Sequence, residues 1–388
     1  WQLRNTSRAK LVNYTRERFA KQMRAIAVRP EIEDMLPEIF NPNTLTLGFA
    51  RRFVPYKRPN LLLHDPERFI RILTNPERPV QLVLAGKSPP FDESGKALIR
   101  QWIKFIQHHN LYHHVIFLSD YDMLMAEQLV QGADVWVNTP RRPWEACGTS
   151  GMKVLVNGGI NLSELDGWWA EAYTPEVGWA LGDTQEHGND PNWDAVEADA
   201  LYQILEQEVV PAFYDRNNNG IPELWIEKMR NSMATLTPKF SANRAVREYT
   251  EDYYLPAANN YLKRAAKQGS MGKRIVNAKH DLRNKWDGIR FGEVSIDYVE
   301  GGFQYNISVS LKNINPDTIL IQLFADGLNG GIPEILKMER DSEPKEEAHR
   351  YHAHITTSRP ASDYTVRIIS DYEGISVPLE DNLIRWQH

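Results

Sequence analysis

The chain has 388 residues, which is enough for two or three domains with a sizeable core. Its 42% hydrophobic and 25% charged content is that of a globular protein, and no apolar run approaches the roughly 20 residues of a membrane span. The net charge of −6 disfavours nucleic acid as a partner, and one cysteine excludes an intrachain disulfide framework and suits a reducing cytoplasm. Because the chain begins at Trp1 without a signal-peptide pattern, we expect a piece of a longer cytoplasmic protein.

The first predicted element is a helix over residues 1–38, in which Leu3, Leu11 and Phe19 recur at roughly helical spacing. Its N-terminal part is strongly basic. We interpret it as a helix with a basic, solvent-facing side, and a polyanion-binding arm is the alternative. The basic side chains are Arg4, Arg8, Lys10, Arg16, Arg18, Lys21, Arg24 and Arg29.

Strands and helices then alternate along the chain. Helices are predicted over residues 58–73, 96–108 and 123–131, and from Gly148 onward. Short apolar strands separated by helices indicate a parallel sheet that is covered on both faces, with ligands bound beyond the carboxyl ends of the strands. The predicted strands are residues 44–50, 80–85, 115–118 and 135–138.

The C-terminal part changes character twice. Residues 197–266 are predicted to be helical, and the polar, basic residues 271–290 are predicted to be a linker. From Phe291 onward apolar residues alternate with polar ones, which predicts an all-β domain, a sandwich, over residues 291–388. The predicted domains are therefore a helical lead-in (1–40), an α/β domain with a helical tail (41–270), the linker and the β-sandwich.

Residues 141–169 are the most informative segment. A carboxylate (Glu145), a small turn (residues 147–151) and Lys153 follow one another within nine residues. A glycine-rich turn that enters a helix presents unpaired N–H groups and the positive end of the helix dipole, so the segment predicts an anion site. A lysine one turn inside the helix can pair with a phosphate or carry an aldehyde cofactor covalently.

A second cationic segment, residues 48–58 with the sequence GFARRFVPYKR, follows the first predicted strand. Arginine offers a bidentate fork and lysine a point charge to phosphate oxygens. Four such side chains near one strand end predict a phosphate site. They are Arg51, Arg52, Lys57 and Arg58.

These two segments together resemble α-glucan (glycogen, maltodextrin or starch) phosphorylases, in the shorter form found in bacteria and archaea. The matching motifs are EACGTSGMK, then NG and LDG, and the GFARRFVPYKR segment. The resemblance implies that Lys153 carries pyridoxal 5'-phosphate and that Arg52 and Lys57 hold the substrate phosphate as catalytic groups. It also implies that Arg51 lies beside the cofactor phosphate and that Tyr121, after the strand at 115–118, packs on the cofactor ring.

The resemblance assigns the remaining positions of the turn as well. Glu145 would bind sugar hydroxyls, the backbone at Cys147 and Gly148 would approach the glucosyl unit and the phosphate, and Thr149 would cap the helix and bind the cofactor phosphate. Better-known family members have serine in place of Cys147 and Gly-Asn in place of Ser150-Gly151. If the sugar is bound through backbone N–H groups, the cysteine changes little; if it is bound through the hydroxyl, sugar affinity is reduced.

The fold implied by the resemblance is the Rossmann-like C-terminal lobe of a two-lobe, GT-B type glycosyltransferase, followed by the β-sandwich. The implied reaction is reversible phosphorolysis of α-1,4-glucan by inorganic phosphate, which gives α-glucose 1-phosphate. The implied partners are these substrates, an N-terminal lobe of the same protein and possible further copies of the chain; no metal, nucleic acid or membrane is expected. Because the glucan would lie between two lobes, we expect the chain alone to be nearly inactive.

Two other functions stay open. A nucleotide-sugar-dependent glucan synthase on the same fold also has a glutamate and Cys-Gly near this turn, but it has no need of a lysine at position 153. A non-catalytic carbohydrate-binding fragment would use the β domain instead. Covalent cofactor attachment at Lys153 discriminates between these hypotheses and a phosphorylase.

Overall fold

The computed structural model describes residues 1–25, 35–299, 301–328, 331–341 and 348–387. The chain forms two compact units, Trp1–Ala245 and Val246–His388. The domain boundaries expected from the sequence stay predictions. A bilayer-spanning segment would require a long apolar helix, and the described residues contain none.

The first unit is built on a six-stranded parallel sheet with the order β3-β2-β1-β4-β5-β6. This is the doubly wound order. Strands β2 and β3 are added on one side of β1 and strands β4 to β6 on the other, so the strand order reverses between β1 and β4. All neighbouring strands pair in parallel, and nearly every strand residue is buried because helices cover both faces of the sheet. The predicted parallel α/β fold is therefore confirmed. The strands are β1 (Leu45–Ala50), β2 (Val80–Ala85), β3 (Val115–Leu118), β4 (Val135–Asn138), β5 (Ile160–Glu164) and β6 (Gly178–Leu181).

Strands β5 and β6 were not predicted from the sequence. Three of the five β5 residues are polar although all are buried, which hides the apolar signal of a central strand. The polar side chains of β5 have hydrogen-bond partners inside the protein. Asn161 Nδ2 donates to Gly151 O at 3.1 Å, and Ser163 Oγ accepts from Asn138 Nδ2 at 2.9 Å.

The helix predicted over residues 58–73 is wrong in its first part. Arg58 has a positive φ of 43° and is followed by a proline, so no helix continues from it. The helix begins after Asp65, whose side chain caps it by accepting from Arg68 N at 2.9 Å. The helices that end within this unit are α1 (Gln2–Ala25), α2 (Pro66–Leu73), α3 (Glu93–His108), α4 (Met123–Gly132), α5 (Thr149–Leu155), α6 (Trp168–Ala172), α7 (Pro191–Ile204), α8 (Val210–Tyr214) and α9 (Glu223–Lys239).

Helix α1 is fixed to the sheet by two buried arginines, so the predicted solvent-facing basic side is wrong for these positions. Arg8 donates to Asp134 Oδ1 at 2.8 Å, and Arg4 donates to the same oxygen at 3.3 Å and to Ala133 O at 2.8 Å. Asp134 Oδ2 accepts from Thr46 N at 3.0 Å. This carboxylate therefore joins α1 to the strands β1 and β4; residues 26–34 of the predicted helix lie outside the described residues.

In the second unit, the linker predicted over residues 271–290 is wrong, because most of this segment is helical. Most of that segment continues the helix α11 (Leu255–Lys285), whose backbone is interrupted at residues 266–269. Leu282 and Trp286 are buried in the core of the β domain, which explains why this polar, basic sequence is ordered as helix. A shorter helix, α10 (Ala242–Glu248), spans the division between the units.

The β domain consists of two antiparallel four-stranded sheets, β10-β9-β13-β14 and β11-β12-β8-β7. Alternate residues of both sheets, such as Tyr305, Ile307, Ile321 and Val366, share one hydrophobic core. The antiparallel β architecture predicted after residue 290 is therefore confirmed. The strands are β7 (Arg290–Val299), β8 (Gly302–Ser310), β9 (Ile319–Ala325), β10 (Glu334–Lys337), β11 (Glu339–Arg340), β12 (Ala348–Thr356), β13 (Thr365–Ser370) and β14 (Ile384–Trp386).

The buried Asp134 cluster gives a stability prediction. Asp134→Asn leaves Arg4 and Arg8 buried without their counter-ion, so the free energy of unfolding should fall by about 3–5 kcal/mol. Urea unfolding followed by circular dichroism measures the change. Glu206→Gln removes a charge that pairs with Arg68 at 2.7 Å near the surface, and should lower stability by less than about 1 kcal/mol. Equal losses in the two variants would contradict the prediction.

Candidate active site

The candidate site lies where the loops after β1 and β4 meet. These strands are paired in parallel, Leu47 with Val135 and Gly48 with Trp136, so both loops leave the same edge of the sheet. A Cβ on Gly48 would lie 2.9–3.0 Å from atoms of Ala133 and Trp136, so the close approach of the strands requires glycine there. The two motifs identified in the sequence stand on these loops.

A buried ion cluster joins the loops. Glu145 Oε2 accepts from Lys57 Nζ in a short contact and from Arg51 at 3.3 Å. Glu145 is only 8% exposed, and Lys57 and the Arg51 side chain are similarly buried. Burial lowers the pKa of Arg51, and the charge of Glu145 partly offsets that effect. The structure thus brings together Arg51, Lys57 and Glu145, to which the sequence analysis assigned separate binding roles. The sequence did not predict that they pair with one another.

The Arg51 loop is held in place by the segment that follows β2. Arg51 N donates to Ala85 O at 3.1 Å, and Phe53 N donates to Lys87 O at 3.0 Å, which extends the sheet pairing into the loop. A Cβ added to Gly86 would lie 2.1 Å from Arg51 O. Gly86 thus permits the close approach of these two segments.

The Glu145 loop is held by Asp166 of the LDG motif. Asp166 Oδ2 accepts from Glu145 N at 2.8 Å, and Trp168 N donates to Cys147 O at 3.0 Å. A Cβ on Gly167 would lie 2.5 Å from Cys147 O, so this position also requires glycine. Sequence analysis recognised LDG as part of the family signature but gave Asp166 no role.

The turn into α5 differs from expectation in one respect. The N-cap is Gly148, at φ 83°, and no side chain caps the helix, so the cap expected from Thr149 is not formed. Burial raises the pKa of Cys147, which indicates a neutral thiol rather than a reactive thiolate. Lys153 is exposed near the end of α5, and Nζ makes no hydrogen bond or ion pair with any described residue.

Two further predicted residues form no hydrogen bond or ion pair with this cluster. Arg52 is exposed, and its side chain makes no hydrogen bond or ion pair within the described ranges. Tyr121 is half-buried, and burial raises the pKa of its hydroxyl while the charge of Arg51 opposes the rise. Across the described residues, no three His, Cys, Asp or Glu side chains converge as metal ligands would.

Arg58 does not belong to the phosphate site expected from the sequence. Its guanidinium donates to Glu164 at 3.1 Å, to Asp194 at 3.0 Å and, in a short contact, to Glu197. Burial and the neighbouring Glu197 raise the pKa of Glu164 to about 9, so this carboxyl is protonated at neutral pH. Sequence analysis missed this cluster because its acids come from two segments, β5 and α7, that lie more than 100 residues after Arg58.

The raised pKa of Glu164 predicts a pH dependence of stability. The unfolded chain loses this proton near the ordinary pKa of 4.5, whereas the folded chain keeps it until about 9. Within that window the folded state binds one more proton, so the free energy of unfolding falls as pH rises, by at most about 1.4 kcal/mol per pH unit. Glu164→Gln should lose less stability than the wild type between pH 6 and 9, as measured by urea unfolding at each pH.

The control for this experiment is Glu67→Gln, which changes an exposed acid on α2 and should keep the slope of the wild type. If Glu164→Gln and the wild type lose stability in parallel as pH rises, Glu164 does not hold the proton.

Comparison with known proteins links these motifs to a family. A carbohydrate phosphorylase family model matches residues 15–182. The chain is 39% identical to a glycogen phosphorylase of Mycobacterium tuberculosis H37Rv (83% of this chain, 38% of that protein). It is 33% identical to a maltodextrin phosphorylase of Thermococcus litoralis (92% and 43%) and 38% identical to a glycogen phosphorylase of Aquifex aeolicus (66% and 36%).

The chain thus spans about two fifths of the length of these curated relatives. A solved structure, Anabaena Alr3699/HepE in complex with UDP, is 16% identical with a TM-score of 0.41 over 58% of this chain and 53% of that one, a likeness too low to bear on function. Residues 15–182 therefore belong to the carbohydrate phosphorylase family, and the chain is similar over most of its length to α-glucan phosphorylases.

Proposed function

We propose that this chain supplies the cofactor- and phosphate-binding part of an α-glucan phosphorylase. The reaction is the reversible phosphorolysis of α-1,4-glucan by inorganic phosphate, with release of α-glucose 1-phosphate. The observation that carries the proposal is the buried contact of Glu145 with Lys57 and Arg51, because it unites the two loops that bear the family motifs. The named glycogen and maltodextrin phosphorylase relatives support the same reaction.

The residues of the site fit pyridoxal 5'-phosphate. Lys153 offers an exposed amine without a partner among the described residues, as covalent attachment of an aldehyde requires. Arg51 Nε is buried and lacks an acceptor, which suits a nearby anion. Gly148 adds no side chain at the turn before Lys153, so the turn is open to a phosphate.

Each group of the chain then has a defined task. When bound, the cofactor supplies a phosphate group that exchanges a proton with the substrate phosphate. Arg52 and Lys57 bind the substrate phosphate, Arg51 neutralises the cofactor phosphate, and Glu145 accepts hydrogen bonds from sugar hydroxyls. Two phosphates in contact repel strongly in a buried site, and these three cations offset that repulsion.

The Glu145–Lys57 contact gives the site an internal competitor for phosphate. The short bond means that Lys57 already has an anionic partner before any substrate arrives. A phosphate that binds Lys57 therefore exchanges one anion for another, and Glu145 is then free to turn to the sugar.

The wider setting is part of the same proposal. The parallel sheet of the first unit represents the C-terminal lobe of a GT-B type enzyme, and the glucan binds between it and an N-terminal lobe of the same protein. We place the enzyme in the cytoplasm, where glucan stores and phosphate meet, and the assembly of several copies stays a prediction.

The first test concerns the cofactor. The chain is incubated with pyridoxal 5'-phosphate, reduced with borohydride, digested and mapped by mass spectrometry. The pyridoxyl label should be found on the peptide that contains Lys153 and should disappear in Lys153→Arg. Lys104→Arg, which changes an exposed lysine on α3, should leave the labelling unchanged. Labelling spread over several lysines, with none enriched at position 153, would refute the cofactor assignment.

The second test concerns the competition at Lys57. Glu145→Gln leaves Lys57 and Arg51 buried without their carboxylate, so bound phosphate should stabilise this variant more than the wild type. We expect the rise in melting temperature caused by phosphate, relative to chloride at equal ionic strength, to be larger by about 3 °C or more.

The matched control for that test is Asp134→Asn. Asp134 is also a buried acid between two basic side chains, Arg4 and Arg8, but it lies at the opposite end of β4. Phosphate should not rescue this variant, because the arginines there are engaged by backbone carbonyls. A phosphate effect of equal size in both variants would indicate general ion binding and contradict the proposed competition.

A further inference from the structure

An aromatic pair stands beside the Glu145–Lys57 contact. Trp144, directly before Glu145, is 53% exposed, which is unusual for so large an apolar side chain. The ring of Tyr56, directly before Lys57, lies 5.8 Å from that of Trp144 at an interplanar angle of 57°. Lys57 Nζ lies 4.8 Å from the centre of the Tyr56 ring. The pair and the ion cluster thus belong to one wall of the site.

The backbone fixes this pair in place. Arg141 N donates to Tyr56 O at 2.7 Å, which ties the β4 loop to the β1 loop. Trp144 N donates to Arg141 O at 2.9 Å and closes the turn that presents the indole. The exposure of Trp144 is therefore a property of an ordered turn between two anchored loops.

The two arginines near the indole in sequence, Arg141 and Arg142, already have hydrogen-bond partners within the chain. Arg141 donates to Gly188 O at 2.9 Å and pairs with Asp194, and Arg142 donates to Leu165 O. Both neighbouring guanidinium groups are thereby engaged within the chain. An anion would find its cations at Arg51 and Lys57, whereas the surface at Trp144 offers an apolar ring face beside a carboxylate.

We propose that Trp144 and Tyr56 form a stacking surface for a neutral pyranose ring, a glucosyl unit of the glucan next to Glu145. A pyranose ring has an apolar C–H face and a rim of hydroxyl groups. The face packs on the aromatic rings while hydroxyls on the rim donate to the Glu145 carboxylate. This subsite rests on the proposed function, since it names the part of the site that holds the sugar rather than the phosphate.

The experiment uses the chain labelled with 5-fluorotryptophan and observed by ¹⁹F NMR. The chain has 11 tryptophans, and the resonance that is missing in Trp144→Phe identifies Trp144. This resonance should shift during titration with maltoheptaose and stay in place during titration with inorganic phosphate. A resonance that responds to a nucleoside diphosphate glucose but not to maltoheptaose would overturn the proposal, because the ring would then bind a base.

The affinity for maltoheptaose, from saturation-transfer NMR titration, should fall about tenfold in Trp144→Ala and far less in Trp144→Phe, which keeps an aromatic face. Tyr261→Ala removes an exposed aromatic ring of the second unit and should keep the wild-type affinity. Equal affinity in Trp144→Ala and the wild type would overturn the subsite. If Lys153 is still labelled by pyridoxal 5'-phosphate in that case, the proposed function stands; a wild-type chain that binds neither maltoheptaose nor the cofactor overturns both.

Discussion

The carboxylate of Glu145 is the group on which the geometry of the site depends. A buried carboxylate is strongly unfavourable without opposite charges, and Lys57 and Arg51 supply these charges. Because these cations are on the loop after β1 and Glu145 is on the loop after β4, their pairing holds the two loops together. The backbone supports are arranged around this contact. Asp166 accepts a hydrogen bond from Glu145 N, and Gly86 allows the segment that follows β2 to approach the backbone of Arg51.

The adjacent cations Lys57 and Arg58 face different sets of acids. Lys57 meets the single acid Glu145 at the open edge of the sheet, whereas Arg58 turns inward to the carboxyl groups of Glu164, Asp194 and Glu197. The positive φ of Arg58 makes this divergence possible, because it reverses the chain between the two side chains. Arg141 also pairs with Asp194, so two arginines face three acids, and a proton on Glu164 leaves this inner group without net charge. It therefore stabilises the loop without attracting an anion. In the proposed function, a phosphate therefore binds at Lys57 rather than at Arg58.

The sequence predicted those elements whose signal is local. The four apolar strands β1 to β4 and the alternating strands of the β domain were found because burial on one or both faces dictates their pattern. Strand β5 was not predicted because it contains the polar residues Asn161 and Ser163. These can be buried only because other segments of the chain supply their hydrogen-bond partners. The sequence predicts a linker where residues 271–285 form a helix, because the order of this helix comes from burial of Leu282, and of Trp286 just beyond it, and not from helical periodicity.

The site shows the same division between local and tertiary information. The resemblance to phosphorylases assigned binding roles to Arg51, Lys57 and Glu145. Pairing among their charges depends instead on how the loops approach each other, and that is set by Asp166, Gly86 and Gly167. The pairing of Glu145 with Lys57 also affects how the binding of an anion and the binding of a sugar influence each other. While Glu145 neutralises Lys57, it cannot also accept from a sugar at full strength; once an anion takes Lys57, the carboxylate gains capacity for hydroxyl groups beside Trp144. In the proposed function, phosphate and glucan therefore favour each other's binding through this one side chain, without movement of the sheet.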